Sequence, residues 1–88
     1  MNVITYKKDL CDLWCEAIES LGGSARKCEI LNWIYDQIQA GLVSMPHEIR
    51  GSWPVDIGHQ KDNLKPLGAI KSTKVGKYTY WSLALSLN

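Results

Sequence analysis

Leu10, Leu13, Trp14, Ala17, Ile18 and Leu21 recur at spacings of three and four, which draws one apolar stripe down a helix over Tyr6–Leu21. Asp9, Asp12, Glu16 and Glu19 fall on its opposite side. Thr5 or Asp9 suits the start, and Gly22-Gly23 frees the backbone for a left-handed stop. A second stripe of Leu31, Ile34, Tyr35 and Ile38, widened by Ile30 and Trp33, predicts a helix from Lys27 to Ala40 that Gly41 ends. Ser24-Ala25-Arg26 between them has room only for a linking strand or an extended turn. Two helices so close in sequence must cross steeply.

The pattern then thins. Leu42–Ser52 has no clear period and reads mainly as a loop, with at most one helical turn opened by Ser44-Met45-Pro46. A third helix is expected over Pro54–Leu67, capped by Ser52, with Ile57, Gln60 or Lys61, Leu64 and Leu67 inward. Pro66 disturbs its last turn and Gly68 closes it. Ala69–Thr73 and Lys77–Leu83 read as a hairpin around Lys74-Val75-Gly76, with Thr79, Trp81 and Leu83 facing one way and Tyr78, Tyr80 and Ser82 the other. Leu13, Ile18, Leu31, Ile34, Leu64, Ile70, Trp81 and Leu83 should share one core.

Composition narrows the class. The 88 residues, 45% apolar and 22% charged, suit one soluble domain over 1–88 rather than a disordered tail, a collagenous repeat or a coiled-coil rod. No run is long and apolar enough for a membrane span or a secretory signal, so the expected location is the cytoplasm and no membrane partner is implied. Cys11, Cys15 and Cys28 make an odd count, which argues against a disulfide framework. A zinc site joining them to His47 or His59 lacks the paired ligand spacing of short loops, so no metal and no cofactor is expected.

Net charge is +1, but it is unevenly spread. Residues 1–48 carry four basic against seven acidic side chains, and residues 49–88 carry six against two. Five of those six cations fall on the third helix or the hairpin. Such asymmetry implies a basic face of the kind that meets nucleic acid.

Helix, short strand, helix, loop, helix and two-stranded hairpin is the chain order of a winged helix-turn-helix domain. The expected class is therefore α+β, mainly α, with three helices plus a C-terminal hairpin. Cys15–Ile34, with its core Ala17-Ile18-Glu19-Ser20-Leu21-Gly22-Gly23-Ser24-Ala25-Arg26 and the following Glu29-Ile30, resembles the N-terminal domain of Mrr-type modification-dependent restriction endonucleases. Ile57–Ile70 resembles that domain's third helix with its Leu-Lys-x-x-Gly-(Leu/Ile) ending, and Gly76…Trp81-Ser82-Leu83 its Gly-x-Trp-x-Leu strand. The chain departs from the family at His59, where Trp is usual, in a hairpin longer by a few residues, and in lacking a nuclease domain. The resemblance implies a recognition module for double-stranded DNA, reading a methylated base, that belongs to restriction-modification; the hairpin strands hold no acidic residue for a nuclease metal site, so this chain is not expected to cut.

The fold class sends the third helix to the major groove and the hairpin along the neighbouring backbone. Gln60 and Asn63 then suit adenine edges, and His59 a base or a phosphate. Lys61, Lys65, Lys71, Lys74 and Lys77 suit phosphates, and Arg50 either a phosphate or a guanine. Trp53, beside Arg50 and Ser52, can stack on an extruded or methylated base or staple the helix it precedes. No residue is expected to be catalytic. The competing class is a winged helix that binds protein, or a small regulatory or anti-restriction protein.

Overall fold

The computed structural model describes residues 2–64 and 66–83. Helix α1 runs from Leu10 to Ser20 and buries Leu10, Leu13, Trp14, Ala17 and Ile18. It begins later than its stripe predicts because Asp9 Oδ2 accepts the N–H groups of both Thr5 and Tyr6 at 2.9 Å, holding Lys7–Asp9 in a 3₁₀ turn. Its end is a Schellman closure: Gly23 N–H reaches Ile18 O at 2.9 Å and Gly22, at φ +100°, reaches Glu19 O. Helix α2, Lys27–Gln39, closes the same way through Gly41 and Leu42. Ile30 and Ile34 are its buried residues, with Leu31, Trp33 and Ile38 packed at the core's margin. Tyr35, expected inside, is exposed.

Strands β1 (Asn2–Val3) and β3 (Val43–Ser44) form a short parallel pair, extended by the Ile4 N–H to Ser44 O bond at 2.8 Å. Strand β2 (Ser24–Arg26) joins β4 (Ile70–Val75) and β5 (Tyr78–Leu83) in an antiparallel sheet of order β2-β5-β4. The hairpin is tighter than expected: Val75 pairs with Tyr78 around Gly76-Lys77, and Gly76 supplies φ +63°.

Register sorts the sheet's two faces. Ala25, Ile70, Trp81 and Leu83 share the face turned to the helices, where Trp14 meets Trp81 edge-to-face at 5.9 Å and 79°. Arg26, Lys71, Thr73, Val75, Tyr78, Tyr80 and Ser82 share the other. The expected alternation along β5 is therefore seen.

Four helices, rather than three, lie among the described residues. Helix α3, His47–Arg50, occupies the expected loop, and Val43, Met45 and Ile49 around it are buried. A two-residue strand and a four-residue helix are too short to show a period. Helix α4 runs only from Trp53 to Lys61. Pro66 explains the early stop, since its ring would clash with the Asp62 carbonyl in a continuing helix. Leu67, expected inward, is consequently 78% exposed.

Ile34 has no exposed surface, whereas Leu31 lies only at the core's edge. Ile34→Ala is therefore expected to cost about 2–5 kcal/mol in urea unfolding. Leu31→Ala should cost clearly less, and equal losses would contradict this division of the α2 face.

Candidate nucleic-acid interface

Helix α4 is placed by its buried side. Ile57 is fully buried and Trp53 is 7% exposed, both within the main apolar cluster. Burial withdraws Trp53 from the stacking role expected of it: its ring packs in the core, and as the first residue of α4 it does not precede the helix as a staple would. The Ser52 hydroxyl is not a helix cap. It donates to Asp56 Oδ2 at 2.6 Å, and Lys7 Nζ lies 3.5 Å from the same carboxylate's other oxygen. The Ser52 bond, followed by the Lys7 charge, holds the Asp56 carboxyl below its ordinary range.

Lys61 is the largest correction. Expected on a phosphate, it is 9% exposed, with Nζ 4.5 Å from the Trp81 ring centroid, 5.7 Å from that of Trp14 and 3.0 Å from Asp62 Oδ1. Helix periodicity left Gln60 or Lys61 open for the inward position, and Lys61 takes it. Gln60 is half-buried; its Oε1 accepts from Asn63 Nδ2 at 3.4 Å, and its carbonyl accepts the Cys11 thiol at 3.3 Å. Asn63 sits in the turn after α4 and, like His59, is exposed. The two amides expected at base edges are thus together but partly engaged with each other.

Of the cations expected on phosphates, those of the hairpin reach solvent. Lys71 stands on the outer sheet face, Lys74 on the helix-side face near the tip, and Lys77 in the turn; all three are exposed. Arg50, at the end of α3, is exposed too. Lys65 lies outside the described residues. Two contributors were missed because they belong to the acidic half of the chain. Arg26 ends β2 and stacks its guanidinium 4.5 Å from the Tyr78 ring centroid. Lys27 opens α2, its ammonium 3.4 Å from where a β-carbon on Gly58 would sit. They stand in the acidic half of the chain, but strand pairing carries Arg26 to the hairpin and packing sets Lys27 against α4, long-range effects that local charge counting does not register.

Between Lys27 and α4 lies a cleft of about 380 Å³, walled by Pro54, Val55, Gly58, His59 and the Lys61–Asp62 pair. Val55, 65% exposed, is its open apolar element. Burial, then the nearby Asp12, pushes the Cys11 and Cys15 thiols up, which favours the unreactive thiol form. Among the described residues no group of three or more His, Cys, Asp or Glu gathers at metal-binding distance, and no helix is long and apolar enough to cross a membrane.

Two outcomes follow from these contacts. Lys61→Ala should lose about 1–2 kcal/mol with altered tryptophan fluorescence, because stem packing and the cation–ring contacts go together. Lys61→Met keeps the stem and should lose less. Separately, Asp9 is held below its ordinary range by the Tyr6 and Thr5 N–H groups, as Asp56 is by Ser52. A depressed folded-state pKa gives stability that is present above the unfolded value and is lost as pH falls through the folded one. Urea midpoints should therefore drop below about pH 4, and the double variant Asp9→Asn, Asp56→Asn should show a shallower drop.

No protein-family model, curated protein or solved structure matches the chain, so the reading of this surface rests on its own residues and geometry.

Proposed function

We propose that the chain is a winged helix-turn-helix module that binds double-stranded DNA, with α4 addressing the major groove and the β4–β5 hairpin following the adjacent phosphates. One observation carries the reading. From Asn63 through Leu83 there is no acidic side chain, and Lys71, Lys74 and Lys77 all project to solvent from the hairpin that follows α4. Arg26 and Lys27 add to the same region. A phosphate backbone is the complement of such a surface, and it sets affinity without reading sequence.

Reading falls to the exposed groups at α4: His59, Asn63, the free edge of Gln60, and Val55. The withdrawal of Trp53 changes how a methylated base would be sensed. In this proposal Val55 covers the methyl group in the groove. One buried methyl contributes about 0.8 kcal/mol, which limits the preference to less than tenfold. Adenine is favoured over cytosine because the Gln60 and Asn63 amides suit its edge. In this proposal the module supplies recognition and not cleavage. It fits the role that the resemblance to Mrr-type N-terminal domains implies, recognition for a restriction-modification function.

The test is a titration of one duplex with and without adenine methylation across a salt series. With three to five phosphates engaged, log K should fall against log salt with a slope of about −3 to −4.5. Replacing Lys71, Lys74 and Lys77 by Ala together should weaken both duplexes alike and flatten the slope. Val55→Ala should erase the methyl preference alone. Affinity indifferent to salt would overturn the reading in favour of a protein partner.

A further inference from the structure

The outer face of the three-stranded sheet is turned away from Trp14 and the helices, and it has its own character. Register places Ser24 and Arg26 of β2, Tyr78, Tyr80 and Ser82 of β5, and Lys71, Thr73 and Val75 of β4 on it. Tyr78 is 44% exposed, Lys71, Thr73 and Val75 are exposed, and Arg26 and Tyr80 are half-buried. The Arg26 guanidinium lies over the Tyr78 ring and opposite Tyr80 in register, and Lys77 Nζ is 5.5 Å from the Tyr78 ring centroid. Aromatic rings and a planar cation form one platform rather than isolated residues. The strands contribute no acid. Glu29 stands at the margin, with its carboxylate engaged by the Arg26 N–H at 2.9 Å and 3.9 Å from Arg26 Nε.

We infer that this face binds a single-stranded polynucleotide. Exposed bases need flat partners, and tyrosine and arginine supply them without regard to sequence. The phosphates of the same strand need cations, and Lys71, Lys77 and Arg26 border the platform on the sheet's own surface. Tyr78 and Tyr80 lie two residues apart on one strand, about 7 Å along it, so two bases can be held side by side. A duplex would not use the platform, because its bases are stacked on one another and its contacts come from groove edges and backbone. The site is therefore separate from the duplex surface of α4, although both draw on Lys71 and Lys77.

Oligo(dT) and oligo(U) of about 12 nucleotides, fluorescently labelled, are the probes. Wild type should bind at least one of them, and the tighter arm names DNA or RNA as the source of the strand. Tyr80→Ala and Tyr78→Ala should each weaken binding roughly tenfold, while Tyr80→Phe and Tyr78→Phe, which keep the ring, should bind like wild type. Circular dichroism melts check that each variant is folded. Should Tyr80→Ala not fold, Tyr78→Ala at the more exposed position decides the question. Duplex affinity should be unchanged in Tyr80→Ala and in the two Phe variants, which leave the Arg26 and Lys77 contacts to the Tyr78 ring in place, so a failure of this site and a failure of duplex binding are told apart. Absence of binding to both oligonucleotides, or affinities that ignore loss of the rings in folded variants, would overturn the inference.

Discussion

The contact between Trp14 and Trp81 ties the helices to the sheet, and the rest of the arrangement depends on it. Trp14 lies on α1, the helix against which α4 is packed, and Trp81 lies on the central strand of the sheet. Their edge-to-face packing fixes where the hairpin stands relative to α4. Lys61 completes the junction from the C-terminal end of α4, its ammonium over both rings. A cation at such a position anchors one end of α4 to the sheet, whereas a phosphate-binding lysine would have to swing free. The arrangement has a cost: among the described residues the buried Trp14 Nε1 meets no hydrogen-bond partner, a loss of about 1–3 kcal/mol that good ring packing must offset.

The other end of α4 is fixed by polar means. Ser52 and Lys7 hold Asp56, and Asp9 holds the backbone that carries Lys7. Both acidic residues of α4 and its following turn, Asp56 and Asp62, are therefore paired with lysines. This pairing removes two repulsive charges from the helix proposed to approach DNA. It also leaves the helix nearly neutral, so attraction must come from the hairpin and from the start of α2.

Where the chain repeats regularly, its structure was legible. The glycine stops of α1 and α2, the alternation of β5 and most of the two helical stripes translate directly, Tyr35 being the exception that faces solvent, because side-chain direction follows backbone period. What failed was local signal that tertiary packing overrides. Lys61 reads as polar yet lies over two rings, and Trp53, which its place in the sequence left open between base stacking and packing on the helix, fills the core. Leu67 was counted on a helix that Pro66 had already ended. β1, β3 and α3 are too short to carry a period at all. In the site, His59, Asn63 and the hairpin lysines stand exposed as expected. Arg26 and Lys27 were invisible because only the pairing of β2 with β5 brings them near.

That same pairing has a kinetic consequence. The β4–β5 hairpin closes over two residues, whereas β2 reaches β5 across the whole of α2, α3 and α4. Closing so long a loop carries an entropic cost that neither α1 nor α2 faces, so late formation of the seam between Ala25 and Trp81 is the expected order of assembly. The converse holds for opening. Release of this seam alone would leave the hairpin tied to α1 through Trp81, and slowed amide exchange along β2 and β5 is where the free energy of that opening would be read.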